Sequence, residues 1–269
     1  MGGILITGAS RGLGAALATR YATPGQRLIL TARSLKALSD ISRVCRDQGA
    51  QISPLVLDLD DPDSVDAFHV ARRRLDLGAG GLSLVIANAG VFAGRSSFAK
   101  LEGVDAQVHQ INVNLTANIA LLTPIAEEMR KAGRGHIAVV SSLAARQPQP
   151  DSPAYSASKA GLSAWAKAMA DDLAEAGIHV TDIQPGHIDT AQTEGHQGLL
   201  PGLMSAEKAA TIIHRGLAQK KRQIAFPLSI AWLIWLTNWL PDPLRRLALK
   251  PYRYQVRSPH ADLKAESKD

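Results

Sequence analysis

Apolar residues along the first two hundred positions fall into short continuous blocks separated by helix-length stretches. The blocks at 4–7, 27–32, 52–57, 82–87, 136–141 and 179–184 are rich in Val, Ile and Leu and show no alternation of apolar with polar positions. Such blocks fit strands buried on both faces, as in a parallel sheet covered by helices. Helices are predicted over 12–23, stopped by Pro24-Gly25, over 35–48 before Gly49, over 104–131 ahead of Gly133, and over 157–176, ending at Gly177. With right-handed crossovers, this alternation gives an α/β fold, a doubly wound parallel sheet forming one domain over 1–225. Residues 189–205 carry few regular signals and follow the sixth strand. Ligands in such sheets bind at the carboxyl ends of strands, so this stretch is expected to act as a mobile substrate lid.

Composition narrows the picture. The chain has 269 residues, 46% of them hydrophobic, enough to bury one large core. The first apolar block begins at Ile4, which leaves no room for a secretory leader, so a cytoplasmic location is expected. Cys45 is the lone cysteine and no Cys or His cluster has zinc-site spacing, so neither a disulfide nor a metal is expected. The net charge of +6 comes without a nucleic-acid recognition motif. It fits anionic cofactor phosphates or a membrane surface instead.

Between the first strand and the first helix lies Thr7-Gly8-Ala9-Ser10-Arg11-Gly12-Leu13-Gly14. Glycines there permit a tight turn and close approach of the backbone to a pyrophosphate, which the helix N-terminus favours electrostatically. At the end of the second strand, an acidic residue would accept hydrogen bonds from the ribose 2′-hydroxyl of NAD. This chain has Ala32-Arg33 instead. An arginine suits a 2′-phosphate, and Arg11 can approach from the glycine loop, so NADP(H) is the expected cofactor. Further on, Tyr155 and Lys159 stand four residues apart and share one helix face. A phenol titrates near pH ~10, so acid-base work at neutrality needs a nearby cation to favour the phenolate, and Lys159 would supply it.

The T-G-x-x-x-G-x-G loop together with Tyr-x-x-x-Lys resembles the short-chain dehydrogenase/reductase family, over roughly residues 3–225. Asn88-Ala89-Gly90 matches the family's Asn-Ala-Gly beside the adenine ribose, and Asp58 falls where the family places an adenine contact. Ser142 stands thirteen positions before Tyr155, the family spacing for the serine that holds the substrate oxygen, with Ser141 as the neighbouring competitor. Asn114, with Asn112 as its competitor, matches the helix asparagine that arranges a water chain from Lys159. Pro185-Gly186 resembles the family's turn after the sixth strand, with Ile188 and Thr190 meeting the nicotinamide. His187 is at most a pocket-lining residue, having no apparent carboxylate partner. The resemblance implies a Rossmann-type fold, hydride transfer between NADP(H) and a carbonyl or alcohol, and a homodimer or homotetramer formed through the helices containing Asn114 and Tyr155.

The chain departs from the family beyond residue 225. Residues 227–241 are apolar almost all round, with Lys220, Lys221 and Arg222 before them and Arg245, Arg246, Lys250 and Arg253 after. As a helix this stretch is only about 20 Å long, too short for a ~30 Å hydrocarbon core. Trp232, Trp235 and Trp239 could enter a membrane interface while the basic flanks meet anionic headgroups, or the helix could close the substrate pocket or face a partner subunit. The extension is expected to run over 226–257 and to end in a disordered polar tail over 258–269. Three functions fit: a carbonyl reductase or alcohol dehydrogenase for apolar substrates, a sugar-directed reductase in surface polysaccharide assembly, and a non-catalytic NADP-binding regulator or scaffold.

Overall fold

The computed structural model describes residues 2–256 apart from 79, 191, 192 and 194. The expected polar tail over 258–269 and part of the expected lid lie outside the described residues. Seven parallel strands form the central sheet: β1 (Gly3–Ile6), β2 (Arg27–Ala32), β3 (Gln51–Val56), β4 (Leu82–Ala87), β5 (Gly135–Val140), β6 (Ile178–Pro185) and β7 (Gln223–Phe226). Their order is β7-β6-β5-β4-β1-β2-β3, a doubly wound sheet that reverses direction between β4 and β1. Successive side chains enter opposite layers: Ile4, Ile6, Leu28 and Leu30 feed one core, Leu5, Ile29 and Val85 the other. Because both faces are covered, both sets are apolar, which explains the unbroken blocks in the sequence.

Helices α1 (Gly12–Tyr21), α2 (Ser39–Asp47) and α7 (Ala206–Ala218) cover the first face, with Leu17, Ile41 and Ile213 buried in it. The second face is covered by α3 (Pro62–Arg73), α5 (Ala117–Ala132) and α6 (Pro153–Asp172), with Phe68, Ile125 and Leu162 buried. The helix expected over 104–131 is two helices, α4 (Val104–Ile111) and α5, joined by a π turn at Asn112–Thr116. A short 3-10 turn at Lys36–Leu38 precedes α2. The sequence reading missed α3, although Asp61 caps it by accepting the Asp63 N–H and Pro62 starts it.

The seventh strand was also not anticipated, and the expected boundary at 225 falls inside it. Residues 227–241 are not one helix: α8 (Leu228–Thr237) is followed by a turn and by α9 (Asp242–Leu249). Lys220, Lys221 and Arg222 precede β7 and so sit a strand length, about 13 Å, from the start of α8. They do not flank the apolar helix, and Arg222 is engaged by Asp171. Among the described residues, no helix is long and apolar enough to cross a membrane. Cys45 is buried, and burial raises its thiol to about 11, so it is an inert core group.

Candidate active site

The loop between β1 and α1 is shaped by approaches that only glycine permits. A Cβ on Gly14 would stand 2.1 Å from the Gly8 carbonyl oxygen, and Gly8 itself has a φ of 63° with Ala89 pressed against it. Behind the loop, Thr7 Oγ1 accepts the N–H groups of Asn88 and Ala89 at 3.0 and 2.9 Å. Asn88 Nδ2 donates to the Thr7 and Gly8 carbonyls at 3.0 and 3.3 Å. Asn88 and Ala89 therefore brace the glycine turn from the end of β4.

No side chain caps α1, which leaves the first-turn N–H groups of Gly12, Leu13 and Gly14 without a side-chain acceptor at the positive end of the helix dipole. Ser10 is half-buried beside them, while Arg11 and Arg33 are exposed and, among the described residues, neither has an ion pair or hydrogen-bond partner through its side chain. Two free guanidinium groups, a glycine cradle and an uncapped helix start suit a dinucleotide carrying an extra phosphate. Asp58, just past β3, accepts the Asp60 N–H at 3.1 Å and donates its own N–H to Ser64.

Across the sheet's reversal point, Gly186 donates its N–H to the Phe226 carbonyl at 2.7 Å, tying the Pro185-Gly186 turn to β7. Ile188 is buried and pairs with Met204. Thr190 lies against Gly12, where a Cβ would stand 2.9 Å from the threonine methyl, so the segment after β6 meets the glycine loop. The expected lid is held by pairings: Ile188–Asp189 with Met204–Ser205, and His196–Gln197 with Gln255–Val256.

The chemical groups converge between these two loops. Ser142 follows β5 and caps a 3-10 turn by accepting the Ala144 N–H at 3.1 Å. Its hydroxyl also faces the Tyr155 phenol and draws the phenol's pKa downward. Ser141 is occupied, donating to the Asp182 carboxylate and lying 3.0 Å from the Ile183 carbonyl, so Ser142 is the serine beside the phenol. Lys159 Nζ is buried, donates to the Val140 carbonyl at 2.9 Å and lies 5.8 Å from the Tyr155 ring centre. Gly90 runs past this ammonium: a Cβ there would come within 3.3 Å of Nζ.

Asn114 sits in the π turn, fully buried, where its Oδ1 accepts the Val91 N–H at 2.7 Å and its Nδ2 donates to the Val91 carbonyl at 2.8 Å. Asn112 is exposed. The side chain of Asn114 thus fixes the loop after Gly90.

Burial dominates the electrostatics of this pair. Burial pushes the Tyr155 phenol upward, opposed by the Ser142 hydroxyl. Burial lowers the Lys159 ammonium to about 8, opposed by the Asp182 carboxylate. Lys159 is itself desolvated and already bonded to Val140. The phenol is therefore protonated at neutral pH, the state a proton donor needs.

Sequence reading missed two groups of residues. Asp182 is buried on β6 and accepts from Ser141, Ser163 at 2.5 Å and Gln184 at 2.6 Å, a fixed negative charge that supports Lys159. An acidic residue inside an otherwise apolar strand was the available signal. The second group surrounds the phenol. Phe92 meets Tyr155 edge-on at 4.9 Å between ring centres, and Tyr254 lies 6.2 Å from Phe92. His187 faces His196 at 5.5 Å, and burial lowers its imidazole to about 4, so it is a neutral wall residue. Among the described residues, no group of three or more His, Cys, Asp or Glu could hold a metal ion.

A buried serine after β5 and, on α6, a half-buried phenol and a buried ammonium, beside a glycine cradle, define a nucleotide-dependent oxidoreductase of α/β type. The sequence model described as short chain dehydrogenase matches residues 3–197, and the chain belongs to that family. An uncharacterised oxidoreductase of Myxococcus xanthus is 34% identical over 253 residues, covering 93% of this chain and 96% of that protein. Mouse estradiol 17-beta-dehydrogenase 11 is 27% identical over 258 residues, covering 94% and 84%. The fold matches a Sphingobium yanoikuyae short-chain dehydrogenase in complex with NADPH, with a TM-score of 0.75, 24% identity, and 97% and 100% of the two chains covered.

Proposed function

We propose that this chain is an NADP(H)-dependent oxidoreductase that interconverts an apolar carbonyl compound and its primary or secondary alcohol. The observation that carries this reading is the convergence of Ser142, Tyr155 and Lys159 beside Gly90 and the glycine cradle. The nicotinamide, when bound, supplies or accepts the hydride. Ser142 and Tyr155 hold the carbonyl oxygen by hydrogen bonds, Tyr155 donates the proton to it in reduction, and Lys159 orients and reprotonates the phenol from its seat on Val140. Arg33 and Arg11 select the 2′-phosphate. Support for an apolar substrate comes from Phe92 and Tyr254 around the phenol, and from a relative named for estradiol.

Titration of NADPH and NADH against the protein and its Arg33→Ala variant, followed by turnover of aldehydes and ketones graded in size, tests this reading. Tight NADPH binding weakened in the variant, with turnover rising for apolar ketones, is the expected result. Binding without turnover on any carbonyl would move the reading to a regulator or scaffold, and preference for nucleotide sugars would favour polysaccharide assembly.

A peripheral contact with anionic lipid through α8 and α9 is part of the same proposal. Trp232, Trp235 and Trp239 are 67%, 52% and 74% exposed and form an edge-to-face ridge with ring centres 5.3 and 6.0 Å apart. Leu228, Leu236, Leu244 and Leu247 are exposed on the same two helices. Residues 226–256 carry four basic side chains against one acid, Asp242; Arg245 pairs with Asp242 and Arg253 with Asp151, which leaves Arg246 and Lys250 to face anionic headgroups. Co-sedimentation with anionic but not zwitterionic vesicles, lost in high salt, is expected. Homo-oligomerisation through α4, α5 and α6 is likewise proposed, supported by the exposure of Val104 and Val108 on α4, and is tested by light scattering.

A further inference from the structure

After α9 the chain turns back and crosses the mouth of the active site. Gln255–Val256 pairs antiparallel with His196–Gln197, and the Val256 N–H donates to the Arg95 carbonyl at 2.9 Å. These contacts join three loops that leave the carboxyl ends of the strands around Tyr155: the loop after β4, the loop between β5 and α6, and the segment after β6.

The crossing is clasped by Asp151, a carboxylate only 1% exposed. Arg253 grips it with Nε and a terminal nitrogen at 2.7 Å, Arg95 Nε stands 3.1 Å away, and the Tyr254 N–H donates to it at 3.1 Å. A buried carboxylate with two guanidinium partners and a backbone donor fixes the segment with defined geometry. The body has a groove for it. A Cβ on Gly94 would stand 2.9 Å from the Val256 side chain, and one on Gly198 would stand 2.7 Å from Tyr254 Cβ.

The clasp sets one side chain behind the site, against the half-buried rings of Phe92 and His196. Tyr254 is 3% exposed, its hydroxyl bonded to Gln149 at 2.7 Å and to Ser152. Its ring lies 4.3 Å from His196 and 6.2 Å from Phe92, which itself touches Tyr155.

We propose that Tyr254 determines specificity as a positioning residue: it backs Phe92 and His196, whose rings form the aromatic wall against which the apolar body of a bulky ketone rests, and Asp151 holds it there through Arg253. This inference rests on the carbonyl-reductase reading and names the part of the substrate that reading leaves open. An aromatic face gains most from flat or branched apolar groups and little from a two- or three-carbon chain.

The test uses the full chain saturated with NADPH, with Tyr254→Ala, Tyr254→Phe and Arg253→Ala, on a small aldehyde and a diaryl ketone. In Tyr254→Ala the ratio of kcat/KM for the ketone to that for the aldehyde falls about 10- to 100-fold, mostly through KM. Tyr254→Phe keeps most of the ratio because it keeps the ring. Arg253→Ala, which leaves Arg95 on Asp151 and so keeps the variant folded, shifts the ratio in the direction of Tyr254→Ala. Calorimetric titration of the ketone reads binding apart from turnover. A wild type that binds the ketone and reduces nothing removes the reductase reading and leaves the wall. Unchanged ketone KM and affinity in both Tyr254→Ala and Arg253→Ala overturns the wall and leaves the reductase, as does a wild type that neither binds nor reduces the ketone while turning over the aldehyde.

Discussion

The sheet end that holds Tyr155 and the extension formed by α8 and α9 are made from opposite materials. Around Tyr155, polar groups are buried and almost every one has a partner: Asn114 on Val91, Lys159 on Val140, Ser141 and Ser163 on Asp182. Along α8 and α9, large apolar groups face outward, and only Ala231 and Thr237 of α8 are buried. The first arrangement fixes geometry through a low-dielectric network, the second leaves surface free for another apolar phase. The buried polar network thus lies in the sheet scaffold, and the exposed apolar surface lies on α8 and α9.

Four measurements break or sharpen that contrast. The largest effect belongs to Tyr155→Phe, which should lower turnover by about 10²- to 10⁴-fold while NADPH affinity stays near wild type, because only the proton donor is lost. A variant with full activity would sink the mechanism. Next, Arg33→Ala should weaken NADPH binding by roughly 10- to 100-fold and leave NADH binding nearly unchanged, the loss expected for one charge-assisted phosphate contact. Equal losses for both nucleotides would show that Arg33 is structural.

A smaller effect separates the two regions by pH. His136 on β5 and His187 after β6 are both lowered by burial to about 4, against an ordinary value of 6.5. Between those limits the unfolded chain binds more protons, so their contribution is complete above pH 6.5 and is lost as pH falls toward 4. The melting temperature should drop by several degrees, about 5 °C or more, between pH 7 and pH 4.5, and His136→Gln should remove part of that drop. Residues 226–256 contain no histidine, so the acid sensitivity belongs to the sheet. Smallest for the fold is Trp232→Ser with Trp235→Ser, which should cut binding to anionic vesicles several-fold while the melting temperature moves by only about 1–2 °C. A large loss of stability would place these tryptophans in a subunit interface instead.

The sheet was legible because its central strands are largely buried on both faces and read as apolar blocks, while the half-buried edge strand β3 still shows through Ile52, Leu55 and Val56. Gln223–Phe226 was not, because a four-residue edge strand beginning with glutamine and squeezed between Lys221-Arg222 and an apolar helix has no block of its own. Helix α3 was hidden by the acidic run from Asp58 to Asp66, although Asp61-Pro62 marks its start. At the site, Ser142, Tyr155 and Lys159 could be read from their spacing, since one strand end and one helix face fix their separation. The choice between Ser141 and Ser142 needed Asp182, forty-one positions from Ser141, and the clasp of Asp151 by Arg253 spans 102 positions. Contacts of that range follow from topology and leave no periodic trace in the chain.

The clasp also bears on how such a protein changes over time. Tyr254 stands after every strand of the central sheet and every helix that covers it, so on the proposed reading the residue that sets the wall can be exchanged by altering a few codons without touching the scaffold. A recombination event after α9 could replace Tyr254 and keep the proton donor, the ammonium and the nucleotide cradle intact. Provided the newcomer keeps an arginine for Asp151, descendants can diversify in what they accept without passing through forms that fail to fold.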